Sequence, residues 1–226
     1  YQRYFQGAPA LKGGFYQLET AGDMAWFANN VNSLGNTQLN AEIVAPIDLA
    51  DSQFSPIGTV ATPYAGTFKG NLYPITNDNM MIFGTTQGAT IDGINVQGGS
   101  VGGSDNAEHT GSICGTFQGT MTRCYSNATV ENGKGDCGGL IGKIKNNSTV
   151  KNCMFAGNLL SGWSAGLVAG ATDGNDHYVV ISDIMLDGRN VTYGNGDGHG
   201  MLVGWLHDGV GKYTSNIWVI ESPSLT

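Results

Sequence analysis

Residues 138–157 read "GGLIGKIKNNSTVKNCMFAG". Leu140 and Ile141 lead into Gly142, a polar turn follows, and Val150, Cys153 and Phe155 mark a second short run that ends in small residues. Anchoring on the glycine behind such a pair recovers the same phrase elsewhere. "MIFG", "SICG", "GLIG", "LVAG" and "LVG" end on Gly84, Gly115, Gly142, Gly170 and Gly204, spaced 31, 27, 28 and 34 residues. Behind each anchor lies a second run: "TIDGINV" (90–96), "TMTRCYS" (120–126), "TVKNCMF" (149–155), "VISDIML" (180–186) and "YTSNIWV" (213–219). Residues 138–157 are therefore the third of five copies, and self-similarity at this period marks a stacked repeat architecture.

Alternation within the second run assigns its faces. Ile94, Cys124, Cys153, Ile184 and Ile217 form one column, and two residues on lie Val96, Ser126, Phe155, Leu186 and Val219. Three residues before the first column lie Ile91, Met121, Val150, Ile181 and Thr214. Apolar columns two residues apart mean strands, and a Gly-rich period of about thirty is too short for a pair of packed helices. It suits one turn of a coil built from three short strands. Stacking such coils about 4.8 Å apart in parallel register turns the columns into internal ladders. The prediction is all-β: a right-handed parallel β-helix, the hand that parallel crossovers take. Cys124 and Cys153 become ladder neighbours whose Cβ vectors point the same way, which suits buried thiols better than a disulfide. Cys114 and Cys137 occupy other places in the repeat.

Composition narrows the function classes. The chain has 226 residues with 36 Gly, 6 Pro and 12% charged residues, a balance that is neither collagen nor a disordered polyampholyte. Its formal net charge of -8 and the scatter of Lys143, Lys145 and Lys151 argue against a nucleic-acid partner. There is no stretch of about 18 apolar residues to span a membrane. The opening "YQRYFQG" shows no signal-peptide pattern, as a trimmed chain also would not.

Residues 1–75 depart from the five-copy pattern and are assigned as a cap with a lead-in coil, ahead of a five-coil β-helix over 76–226 in one continuous domain. In "FYQLETAGDMAWFANNVNSLGN", Thr20 or Asp23 can cap a helix whose apolar face carries Met24, Phe27 and Val31. Such a helix would cover the open end of a solenoid. The far end, "IWVIESPSLT", has no comparable cover, so either a short tail suffices or the natural chain continues. "MAWFANNVN", "QLNAEIVAPIDL", "SPIG", "YAGTFKGNLYPI" and "IFG", followed by the "GGLIG" copies, resemble a family of bacterial surface β-helix proteins with the so-called GLUG repeat, common in gut Bacteroidetes. The likeness covers roughly residues 15–220 and departs where Lys69 stands in place of the family's usual acidic residue. It implies an adhesin-like protein, cell-surface or secreted and often a module of a longer chain, and it brings no catalytic residues.

Three features are candidates for function. The first is the column between the two inward ladders, Asn95, Tyr125, Met154, Met185 and Trp218, which places four large apolar side chains outward at one-coil steps. Cover by a loop of the same chain, contact with another module, or stacking on a ligand such as sugar rings would each account for it. Trp205, just past an anchor, and Trp163, in a corner, are secondary aromatic candidates. The second is "GDGHGM" (196–201), whose Gly198-His199-Gly200 also occurs in pectin-hydrolysing β-helix enzymes. No carboxylate pair or basic partner accompanies it, so turn chemistry is the expected reading and no catalytic residue is assigned. The third is calcium at "TDGNDH" (172–177) or "GNGDGHG" (194–200), where Asp173, Asp176 and Asp197 lie, although neither matches a calcium-loop spacing. No other metal or cofactor is implied. The N-x-[ST] sequons at Asn127, Asn146, Asn147 and Asn190 read as accidents of Asn-rich corners.

The expectation is a non-enzymatic binding module that recognises glycan or protein on another surface. The alternatives are a polysaccharide lyase or glycoside hydrolase on the same scaffold, and a structural spacer between neighbouring modules.

Overall fold

The computed structural model describes residues 7–50, 52–76, 79–102, 109–132, 134–161, 163–173, 178–189, 191–193, 196, 198–206 and 211–220. The chain winds as a right-handed parallel β-helix of about six turns. Among the described residues every strand pair is parallel except Leu11–Lys12 with Phe15–Leu18.

One coil shows the plan. His109–Gly111 runs into Cys114–Phe117, then Gly119–Thr122, Tyr125–Ser126 and Thr129–Asn132, after which the next coil starts at Asp136–Gly138. A coil thus has more segments than the three strands expected from the period, because the chain doubles back before the anchor glycines 115, 142, 170 and 204. The predicted ladders form in the expected register. Met121 lies between Ile91 and Val150, Tyr125 pairs with Asn95 and Met154, and Cys153, Met154 and Phe155 pair with Ile184, Met185 and Leu186. Ile184 and Leu186 pair in turn with Ile217 and Val219. Ile91, Ile94, Met121, Val150, Phe155, Ile184 and Leu186 are buried in a single core.

The spacing of three between two inward columns has a backbone cause. Between them stand Gly93, Arg123, Asn152, Asp183 and Asn216, all with φ between 52° and 68°. One left-handed residue per coil turns the strand and resets its phase, so positions three apart both face inward. Asn, Asp and Gly take this conformation with least penalty. Arg123 is the exception, and its guanidinium is held by Asp92, with Nε 2.8 Å from Oδ1.

The anchor glycines sit where two stacks of strands touch backbone to backbone. Cys114–Phe117, Ile141–Ile144, Ala169–Thr172 and Val203–Trp205 form one stack, and His109–Gly111, Asp136–Gly138, Ser164–Gly166 and Gly198–Gly200 fold back over it. A Cβ on Gly142 would stand 2.4 Å from the Thr110 amide nitrogen, and one on Gly138 would stand 1.7 Å from the Ile141 carbonyl oxygen. Glycine is required at both ends of each fold-back, at 111 and 115, 138 and 142, 166 and 170, and 200 and 204.

The amino-terminal end is plugged. Helix α1, Ala21–Asn32, starts at Thr20, whose side chain accepts from the Asp23 amide while Asp23 accepts from the Thr20 amide in return. Met24, Phe27 and Val31 are fully buried. The Phe27 ring meets Phe68 at 5.7 Å and Tyr64 at 5.9 Å, and both of these pack on Phe83. The sheet runs unbroken from this region into the repeats: Ala41 pairs with Phe68 and Phe68 with Ile91, while the strand Pro74–Thr76 crosses the residue 75/76 division. Lys69 lies between Glu42 and Asp92 in one column, with Nζ 4.0 Å from the Phe15 ring centre.

All four cysteines are buried, and no disulfide joins them. Burial pushes the Cys114 and Cys124 thiols well above their ordinary range. Neither offers a thiolate nucleophile.

Candidate functional site

The outward column is real in register. Tyr125, Met154, Met185 and Trp218 follow one another on adjacent strands of the largest sheet. Tyr125 and Met154 are half-buried, whereas Met185 is 42% and Trp218 54% exposed. The left-handed residue two positions earlier in each copy aims this column, because it turns the strand so that residue 95 and its equivalents leave the core. The two secondary aromatics are not part of it. Trp163 is 53% exposed beside Gly196, in the corner between Asn158–Ser161 and Ser164–Gly166. Trp205, 41% exposed, ends a different column: Thr85, Thr116, Lys143, Ala171 and Trp205 are in register on the anchor-glycine stack.

The first three members of that second column floor a groove of about 910 Å³ that pattern reading missed. Thr85, Thr116 and Lys143 lie along it, with Gln87, Gln118 and Lys145 beside them. One wall is the 58–63 turn, which the end of α1 clamps. Asn32 donates to the Pro56 carbonyl at 2.9 Å, and its side-chain oxygen accepts from the Gly58 amide at 2.7 Å. His109 lines the groove as well, its Nδ1 2.8 Å from Asp136 Oδ2. At the far end Lys143 pairs with Asp173 at 3.5 Å.

His109 heads a column of three polar residues, His109, Asp136 and Ser164. Ser164 Oγ donates to Asp136 Oδ1 at 2.5 Å and is buried. Burial alone would raise the Asp136 carboxyl, but hydrogen bonds from His109 and Ser164 more than offset it and hold it below the usual carboxylate range. The carboxylate therefore sits between serine and histidine. A serine nucleophile needs the histidine in the middle, to take its proton, so this order stabilises a charge and does not activate a hydroxyl.

Gly198-His199-Gly200 is a strand, not the corner expected from its glycines. It stacks on Ser164-Ala165-Gly166, and the His199 ring lies 4.8 Å from Tyr193. The glycines at 198 and 200 belong to the fold-back. Of the calcium candidates, Asp173 is the partner of Lys143, while Asp176 and Asp197 lie outside the described residues, as does Asn190. No group of three or more His, Cys, Asp or Glu side chains suited to a metal occurs among the described residues. Nor, among them, is any helix long and apolar enough to cross a membrane.

Comparison with known proteins agrees with the architecture. A crystal structure of a protein from Bacteroides ovatus, described as a candidate immunoglobulin A1 protease, superposes with a TM-score of 0.72 at 22% identity, over 92% of this chain and 68% of its own. At that identity the likeness shows a shared fold. No family model matches the chain, and no curated protein does.

Proposed function

We propose that this protein is an extracellular, adhesin-like binding module of the GLUG-repeat kind, displayed on a cell surface or secreted, that holds a glycan or protein on its outer faces without turning it over. The observation that carries this reading is the in-register column Tyr125, Met154, Met185 and Trp218, with its last two members open to solvent. Apolar side chains at fixed one-coil steps on a ladder-locked scaffold are pre-organised for contact, so little ordering entropy opposes binding. The order Ser164, Asp136, His109 supports a binder over a serine hydrolase, including a peptidase of the kind named for the Bacteroides ovatus protein.

The test is an array of immobilised glycans and secreted proteins, immunoglobulin A1 among them, with analysis of anything released. Wild-type protein is expected to be retained with no shortened sugar or cleaved chain in solution. Trp218→Ala and Met185→Ala should each weaken retention about tenfold, the loss of roughly 1.4 kcal/mol of contact, with an unchanged melting temperature. Released product would overturn the non-enzymatic reading. Full retention by both variants would remove the column from the binding surface.

A further inference from the structure

We propose that the polar groove on the anchor-glycine stack is a second binding site, and that its occupant is an extended, largely uncharged oligosaccharide. The inference rests on the reading of the molecule as a binding module, but on a different face from the Trp218 column.

The lining chooses the ligand. The groove floor offers the hydroxyls of Thr85 and Thr116 and the amides of Gln87 and Gln118. Threonine hydroxyls and glutamine amides both donate and accept, which matches a ligand that is itself a dense array of hydroxyls. Among the basic side chains of the groove, His109 faces Asp136 and Lys143 faces Asp173, and Lys145 adds one positive charge. No strong field of one sign selects an acidic chain. An extended peptide would need an unpaired strand edge or apolar pockets for alternate side chains. Here the floor is the face of a sheet whose strands Cys114–Phe117 and Ile141–Ile144 are paired on both sides. Apolar residues reach the groove at its walls, through Val60, Pro63 and Met81.

Thr85, Thr116 and Lys143 succeed one another at one-coil steps, so at about 4.8 Å per coil the floor is roughly 10 Å long, room for about two pyranose rings. The groove does not run on to Trp205, because Ala171, the next residue of the column, is buried. The groove is also rigid, since the Asn32 bonds to Pro56 and Gly58 hold one wall and Asp136 holds His109 on another.

The test uses the full chain against linear gluco-, manno-, galacto- and xylo-hexasaccharides, with oligogalacturonate and a pool of extended peptides as competitors, followed by titration calorimetry on the strongest binder. A neutral hexasaccharide should bind, and Thr116→Val and Gln87→Ala should each weaken it about tenfold while Trp218→Ala leaves it unchanged. Circular dichroism melts on both groove variants establish that they remain folded. Binding of no neutral saccharide, preference for the acidic chain or the peptides, or equal affinity in wild type and both groove variants would each overturn the inference. Saccharide binding lost in Trp218→Ala alone would overturn the groove and leave the outward column standing. Loss in the groove variants alone supports the groove, whatever becomes of the column.

Discussion

The two sides of a coil obey different rules. Along the large sheet the inward columns accept varied residues: Val96, Ser126, Phe155, Leu186 and Val219 share one ladder, and Ile94, Cys124, Cys153, Ile184 and Ile217 another. A phenylalanine in one coil fills space that a serine leaves in the coil before it, so total volume is conserved while individual identity is not. On the fold-back side the same place holds glycine in every full copy, because what lies opposite is main chain that cannot move aside. Where side chain meets side chain the repeat tolerates drift. Where backbone meets backbone it tolerates one residue.

Substitutions can break or sharpen that contrast. The largest effect is expected at Gly138→Val, whose Cβ would begin 1.7 Å from a carbonyl oxygen. A loss beyond about 5 kcal/mol, read as failure to yield soluble folded protein, is expected, and a well-folded variant would break the backbone-contact account. Phe155→Ala comes next, at about 3–5 kcal/mol in a urea melt. Phe155→Leu should cost less than about 1.5 kcal/mol, which measures how far the ladder bends. Asn152→Val places a β-branched residue at φ 54° and should cost about 1–2 kcal/mol, while Asn152→Gly should be close to neutral.

The smallest effect is one of pH. Asp136 has a depressed carboxyl in the folded state, so it contributes stability above the ordinary carboxylate value and loses it as pH falls towards its own. The melting-temperature advantage of wild type over Asp136→Asn should be full at pH 6 and shrink below about pH 4. A constant gap across that range would mean that the His109 and Ser164 hydrogen bonds do not favour the ionised form.

Much of this architecture can be read from residues alone, for identifiable reasons. Ladder register follows from period-two alternation repeated five times, and the start of α1 follows from Thr20 and Asp23 at capping-box spacing. The left-handed column was present as Gly93, Asn152, Asp183 and Asn216, but Arg123 in the same place hides the pattern, since its conformation depends on Asp92 one coil away. The first glycine of each fold-back, at 111, 138, 166 and 200, recurs four residues before the anchor, yet only tertiary contact distinguishes it from a turn glycine. Gly198-His199-Gly200 misleads in the same way, because its glycines serve close approach within a strand. The groove left no motif. Its lining comes from the 58–63 turn and several later coils, each contributing an ordinary Thr, Gln or Lys that acquires meaning only when the coils are stacked.

The fold-back seam has a consequence for how such a molecule changes over generations. Because the glycine pairs repeat one backbone fit in every full copy, a unit can be gained or dropped at the seam once the ladder volumes on the large sheet are matched. Every such event lengthens or shortens the outer surface by one fixed increment. Unit number then acts as a ruler, and selection can match the span of the surface to the size of what it holds by counting.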